Sequence, residues 1–171
     1  SDIILEQCFD HHSFFNEIHK EKEYKEMATI GNYLLKKIEE INQKLVPCHK
    51  DIYGPNFVLI DGEMSLIDWE YSGMESKFFD YGDLCLQQNI QEDQRKELFY
   101  VLKLEEGGDD QVLWNLYRYL SSITWGLWAT RKGALDQEVD KDYLKLGKNK
   151  IKSVFEAVNT ENFEKQLSRK Y

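Results

Sequence analysis

The stretch PCHKDIYGPNFVLIDGEMSLIDWEYSG, residues 47–73, decides the fold because it predicts strands within a chain of mostly helical patterns. Two apolar runs, FVLI over residues 57–60 and MSLIDWE over residues 64–70, flank the pair Asp61-Gly62. An Asp-Gly pair between strand-like runs is a strong signal for the tight turn of a β-hairpin. We therefore predict a loop over residues 48–56 that leads directly into a hairpin.

Three polar residues occupy positions that this hairpin brings together. Asp51 and Asn56 lie in the predicted loop, and Asp68 lies at the end of the second strand. Phosphoryl transfer to a hydroxyl needs a carboxylate that accepts the proton, and an amide and a carboxylate that hold magnesium. The spacing favours Asp51 facing an acceptor hydroxyl, while Asn56 and Asp68 share the metal ion. The alternative is that each is an ordinary turn or strand-end residue.

Helical periodicity dominates the rest of the chain. Apolar residues recur every three or four positions over residues 22–45, and Pro47 is predicted to end that helix. One or two short helices are predicted within residues 1–21, and another in the tail. Longer helices are predicted over residues 91–104, from Asp109 or Asp110 to about residue 132, and over residues 140–158. The fold class is therefore mainly α with a small β-hairpin. We predict a single domain over residues 1–171, with the loop and hairpin at 47–73 and a helical subdomain at 91–158.

Composition narrows the function classes. The 171 residues carry a formal net charge of −9, which argues against broad nucleic-acid binding and suits a cationic ligand, although many cytosolic proteins are equally acidic. The apolar run at residues 112–129 contains Arg118 and predicts a buried helix rather than a membrane span. No secretion signal is recognised, so the expected location is the cytoplasm.

The cysteines and histidines give no strong metal signature. Cys8, Cys48 and Cys85 are widely spaced, and reduced thiols are the expected state. The N-terminal candidates for a metal site are Asp10, His11, His12 and His19. They lack an HExxH pattern or partnering cysteines, so we interpret them as exposed helix residues.

The catalytic-type segment resembles a known family. HKDIYGPN matches the H-x-D-x-x-x-x-N spacing of the protein-kinase catalytic loop, and LIDWE stands where protein kinases carry D-F-G, with Glu70 in place of Gly. Continued through FFDYGDL, the stretch resembles the C-terminal lobe of the choline/ethanolamine kinase family, within the aminoglycoside-phosphotransferase and protein-kinase-like superfamily. The resemblance implies Asp51 as catalytic base and Asn56 and Asp68 as Mg²⁺ ligands. It implies that His49 and Asp80 brace the loop.

A second motif concerns the acceptor. In WGLWA, Trp125 and Trp128 are three residues apart and share one helix face. Aromatic faces attract quaternary ammonium groups, and the pair resembles the choline-pocket motif of choline kinases, which implies contact with a trimethylammonium group. The alternative is that both are core residues. Tyr143 is a candidate third wall, and the remaining pocket candidates are Glu70, Tyr71, Asp83 and Gln87.

The resemblance covers only part of a complete kinase. A glycine-rich loop, a strand Lys and a helix Glu that would grip ATP are not recognisable, so the ATP-binding N-terminal lobe is expected to be absent. The leading hypothesis is a choline kinase C-lobe that acts with ATP and Mg²⁺ to form phosphocholine, and that transfers poorly alone. The alternatives are ethanolamine, an aminoglycoside or another hydroxylated amine as acceptor, or a non-catalytic cation-binding module. The oligomeric state is left open.

Overall fold

A computed structural model describes residues 21–135, 141–160 and 162–168. The short helices predicted within residues 1–20, and the candidates Asp10, His11, His12 and His19, lie outside the described residues. Within the described part of the chain, no helix combines the length and hydropathy needed to cross a bilayer.

The described chain is mostly helical, with a small antiparallel β part, which confirms the predicted fold class. The helices are α1 Glu21–Glu39, α2 Lys77–Gln87, α3 Glu92–Leu102, α4 Asp109–Leu135, α5 Lys141–Val158 and α6 Phe163–Gln166. The strands are β1 Leu45–Cys48, β2 Phe57–Ile60, β3 Glu63–Leu66 and β4 Gly73–Ser76, and a 3₁₀ turn spans Gly54–Asn56.

The predicted hairpin is confirmed. Strand β2 pairs with β3, and Ile60 lies opposite Glu63 across the turn. Asp61 and Gly62 both have positive φ, 52° and 85°, as the favoured two-residue hairpin turn requires. The second strand ends at Leu66 rather than at Glu70, so the segment that carries Asp68 is a loop.

The prediction that the first helix reaches residue 45 and is ended by Pro47 is wrong. Helix α1 ends at Glu39, and Pro47 lies inside β1, opposite Met74 of β4. A strand that is paired on one side tolerates a proline, because the missing N–H can face away from the ladder. Strand β4, Gly73–Ser76, was not predicted either. This β1–β4 pair was missed because its partners are far apart in sequence and each strand is only four residues long.

The chain forms two compact units, whose boundary falls within α4. The first comprises Ser1–Glu40 and Tyr119–Glu164, and the second comprises Ile41–Arg118 and Lys165–Tyr171. Buried side chains of the first unit include Met27, Leu34, Ile123, Leu127 and Val154. Those of the second include Phe78, Phe79, Phe99, Trp114 and Leu116. The predicted arrangement of one domain with a helical subdomain stays a prediction.

Two glycines allow a close helix crossing in the first unit. A Cβ added to Gly147 of α5 would lie 2.7 Å from the Gly126 carbonyl oxygen of α4. A Cβ added to Gly126 would lie 2.9 Å from Ile151 Cγ1. The helices therefore touch through backbone at this point, and side chains one turn away can meet across the crossing.

We predict that Gly147→Ala destabilises the chain. In a helix interior, alanine is normally more stabilising than glycine by roughly 0.5–1 kcal/mol. Here the added methyl must push α5 away from α4, and overpacking costs about 1–3 kcal/mol. Urea unfolding would measure the loss, with Lys148→Ala on the exposed side of α5 as the matched control. A Gly147→Ala chain as stable as the wild type would contradict the close crossing.

Candidate functional site

The Asp80 carboxylate holds the loop that contains the H-x-D motif. Asp80 lies in the first turn of α2, where the Ser76 hydroxyl accepts the Phe78 N–H and caps the helix. One carboxylate oxygen accepts the His49 N–H at 2.8 Å, and the other accepts the Lys50 N–H at 2.8 Å. Charged acceptors make stronger hydrogen bonds than neutral ones, so this pair fixes the backbone at the start of the loop.

A second carboxylate of α2 holds the same loop two residues further on. Asp83 is fully buried, and its side chain accepts the Ile52 N–H at 2.7 Å. Asp83 is a sequence candidate for an acceptor pocket, and its contact with the Ile52 N–H was not predicted. The available signal was its spacing of three from Asp80, which places both carboxylates on one face of α2.

His49 links the loop to the hairpin. Its Nε2 lies 2.8 Å from the Ile67 carbonyl oxygen, and its Nδ1 lies 3.3 Å from the Asp51 backbone nitrogen. A carbonyl only accepts and a backbone N–H only donates, so both contacts are satisfied when Nε2 carries the proton and Nδ1 is bare. His49 is 1% exposed, so its side chain braces the loop from a position with little access to solvent.

Asn56 is oriented by Asp51. Its Nδ2 donates to the Asp51 carbonyl oxygen and to Asp51 Oδ2, both at 3.0 Å. Both amide hydrogens are thereby used, so the orientation of the buried amide is set and Oδ1 is left as an acceptor. A cation is bound by oxygen atoms, so this orientation suits a cation ligand.

The environment of Asp51 shifts its pKa. Its pKa is raised, chiefly because partial burial disfavours the charged form, and the Asp68 and Glu70 carboxylates add to the rise. The Asn56 hydrogen bond and His49 act in the opposite direction. Asp68 and Glu70 therefore both lie within electrostatic reach of Asp51.

Asp68 follows a residue that is hydrogen-bonded to Asn56. The Ile67 N–H donates to the Asn56 carbonyl oxygen at 2.9 Å, and Asp68 itself is exposed with φ 65°. Mg²⁺ usually takes one or two protein oxygen ligands and completes its shell with water and phosphate oxygens. The Asn56 amide oxygen and the Asp68 carboxylate fit that donor set. Among residues 21–135, 141–160 and 162–168, no cluster of three His, Cys, Asp or Glu side chains suited to a metal occurs.

The next residues form the turn that leads to β4. The Ser72 N–H donates to the Trp69 carbonyl oxygen at 3.0 Å. Trp69 packs edge-on against His49, with ring centroids 4.7 Å apart, and its indole N–H donates to the Leu66 carbonyl oxygen. Glu70 is exposed and Tyr71 is partly exposed in this turn. Trp69 was not singled out from sequence, and its contact with His49 has no local sequence signal.

The predicted aromatic residues meet in the first unit. The Trp125 and Trp128 rings are 5.6 Å apart at 78°, and the Trp128 and Tyr143 rings are 5.7 Å apart at 79°. Tyr143 lies one turn before Gly147, so the close crossing of α4 and α5 brings it to Trp128. Trp125 is 6% exposed, whereas Trp128 and Tyr143 are partly exposed. We call these three residues the aromatic cluster.

Comparison with known proteins shows the family to which the chain belongs. The profile of the family described as Choline/ethanolamine kinase matches residues 4–106, which is more than half of the chain. The chain therefore belongs to the choline/ethanolamine kinase family, a family of phosphotransferases.

Individual relatives agree with this assignment. Protein LicA of Haemophilus influenzae is 25% identical over 103 residues, covering 55% of this chain and 39% of that protein. The probable ethanolamine kinase A of Dictyostelium discoideum is 24% identical over 161 residues, covering 82% of this chain and 46% of that protein. The chain thus spans less than half the length of these two relatives.

Solved structures share the fold. A choline/ethanolamine kinase family protein from Mesorhizobium loti superposes with a TM-score of 0.80 at 21% identity, over 96% of this chain and 56% of that one. Choline kinase LicA from Streptococcus pneumoniae superposes with a TM-score of 0.69 at 21% identity, over 90% and 55% of the two chains.

We predict that Asp80→Asn destabilises the chain by about 1.5–3 kcal/mol, because an amide oxygen replaces a charged acceptor and the amide NH₂ then faces a backbone donor. Urea unfolding would measure the loss. Asp93→Asn, which removes an exposed carboxylate of α3, is the matched control and should change stability by less than about 0.5 kcal/mol. Equal midpoints for the two variants would show that the Asp80 contacts contribute little.

Proposed function

We propose that this chain forms the acceptor- and metal-binding part of a kinase that transfers the terminal phosphoryl group of ATP to the hydroxyl of choline. The observation that supports this best is the pair of hydrogen bonds from Asn56 Nδ2 to Asp51. They join a carboxylate suited to proton acceptance to an amide whose oxygen is left for a cation. A structural turn alone would not need this polarity.

Asp51 is the proposed catalytic base. Its raised pKa makes it a better proton acceptor than an exposed aspartate, although still weaker than the alkoxide of the acceptor. His49 and Asp80 are proposed as positioning residues, because Asp80 accepts the backbone N–H groups of the two residues before Asp51 and His49 accepts the N–H of Asp51 itself.

Asn56 and Asp68 are the proposed Mg²⁺ ligands. When bound, the ion would neutralise charge on the nucleotide phosphates. ATP itself is proposed to be held mainly by a separate nucleotide-binding lobe, since this chain aligns with only 39% and 46% of the length of the two relatives. A cytoplasmic location is part of the same proposal.

The aromatic cluster is the proposed site for the cationic group of the acceptor. A quaternary ammonium has no N–H to donate, so it gains more from aromatic faces than from hydrogen-bond acceptors. Perpendicular rings, such as Trp128 and Tyr143, offer two faces to one cation. Glu70 and Tyr71 belong to the other unit, and their contact with the acceptor stays a prediction from the sequence.

Ethanolamine is the second candidate acceptor. The relative that aligns with 82% of this chain is the probable ethanolamine kinase A of Dictyostelium discoideum. A primary ammonium carries three donors and requires oxygen acceptors. Of the residues proposed for the site, Glu70 is the carboxylate that would suit it.

We predict that Trp128→Leu weakens choline binding about tenfold, because a cation–π contact is worth roughly 0.5–2 kcal/mol. Calorimetric titration of the chain with choline and with ethanolamine would measure this. Tyr100→Leu removes a side chain that is 86% exposed on α3 and is the control. Choline affinity that is unchanged by Trp128→Leu would reject the aromatic cluster as the site, and tighter binding of ethanolamine would favour the second acceptor.

We predict that Asp51→Asn lowers phosphoryl transfer at least 100-fold while choline affinity is retained, because general-base catalysis typically contributes that much. The assay requires a polypeptide in which this chain is joined to a nucleotide-binding lobe of the family, and Asp93→Asn is again the control. The isolated chain should transfer far more slowly than the roughly 1–100 per second typical of kinases. Absence of turnover in the joined wild-type polypeptide would favour a non-catalytic cation-binding module.

A further inference from the structure

A lysine of the chain itself occupies the aromatic cluster. Lys132 Nζ lies 4.9 Å from the centroid of the Trp128 ring and 4.9 Å from that of the Tyr143 ring. Both distances are within the roughly 6 Å range of cation–π attraction. Because the two rings stand at 79° to each other, the ammonium lies in the corner between them.

The position of Lys132 follows from the helix. It lies four residues after Trp128 on α4, and side chains of a helix lean toward its N-terminus, so the lysine reaches back over the indole. Among the described residues, no carboxylate forms an ion pair with Lys132. The side chain is otherwise exposed, so the ammonium can leave the rings for water without breaking a buried contact.

We propose that Lys132 is an internal competitor that sets the affinity of this kinase for its cationic acceptor. This inference rests on the proposed function, in which the aromatic cluster binds the acceptor's ammonium group. Two cations cannot share the corner between Trp128 and Tyr143, since each excludes the other by volume and by like charge. The acceptor therefore binds only when Lys132 leaves the rings. The affinity for the acceptor is reduced by the free energy of the cation–π contacts that Lys132 loses.

Substitution of Lys132 tests the competition. The probe is tetramethylammonium, which carries the quaternary group without the hydroxyl, titrated into the 171-residue chain by calorimetry. Lys132→Met keeps the length of the side chain and removes the charge, and we expect it to bind the probe about five- to tenfold more tightly than the wild type, from the loss of contacts with two rings. Lys132→Arg keeps a cation over the rings and should not tighten binding.

The matched control separates local competition from net charge. Lys148→Met removes an exposed lysine of α5 and changes the net charge equally, so its affinity should stay within about twofold of the wild type. Circular dichroism and thermal unfolding establish that each variant is folded. If Lys132→Met also fails to fold, Lys132→Gln replaces it.

Nuclear magnetic resonance gives a second readout that a purely structural role would not move. The ε-methylene protons of Lys132, assigned by their loss in Lys132→Met, should resonate upfield because of the ring currents of Trp128 and Tyr143. Saturation with tetramethylammonium should return them to the position of an exposed lysine. Unshifted protons in the free chain would overturn the proposal.

The outcomes distinguish this inference from the proposed function. Equal or weaker probe binding by Lys132→Met, with measurable binding by the wild type, overturns the competition and leaves the aromatic cluster as the acceptor site. Absence of binding by the wild type and by all folded variants overturns both proposals. Tighter binding by Lys132→Met alone supports both.

Discussion

The geometry of the loop that contains the H-x-D motif depends on one carboxylate, that of Asp80, which accepts two consecutive backbone N–H groups. The N–H groups of His49 and Lys50 both donate to Asp80, and directly after them the chain turns at Lys50, which has φ 70°. A non-glycine residue in the left-handed region is strained, and the charge-assisted hydrogen bonds to Asp80 offset that strain. Lys50 stays buried, with its ammonium 5.5 Å from the Phe79 ring, so the side chain contributes to the same anchorage.

From this anchor the remaining polar contacts follow by donor and acceptor rules. His49 can serve the Asp51 N–H and the Ile67 carbonyl together in only one tautomer. Asn56 Nδ2 donates both of its hydrogens to Asp51, so Oδ1 is left as an acceptor. The result is a loop and a hairpin in which His49, Asp80 and Asp83 are held by backbone partners, while Asn56 contacts both the backbone and the side chain of Asp51.

The aromatic cluster depends on a different constraint, the absence of side chains at Gly126 and Gly147. Backbone contact at the crossing of α4 and α5 leaves no room for a Cβ, and Tyr143, one turn before Gly147, meets the Trp128 ring edge to face. Small residues at the contact and large ones beside it thus work together. The same corner attracts Lys132, because any nearby cation is drawn to exposed aromatic faces.

The sequence by itself determined the hairpin, the order of the long helices and the set of candidate residues, because an Asp-Gly turn, helical periodicity and the H-x-D-x-x-x-x-N spacing are local signals. It did not reveal the β1–β4 pair, the place of Pro47 within a strand or the burial of Asp83 against Ile52. Nor did it place Lys132 over the rings. Each of these depends on which distant segments pack together, and pairing across long stretches of chain leaves no periodic trace in either partner; only the tertiary structure decided them.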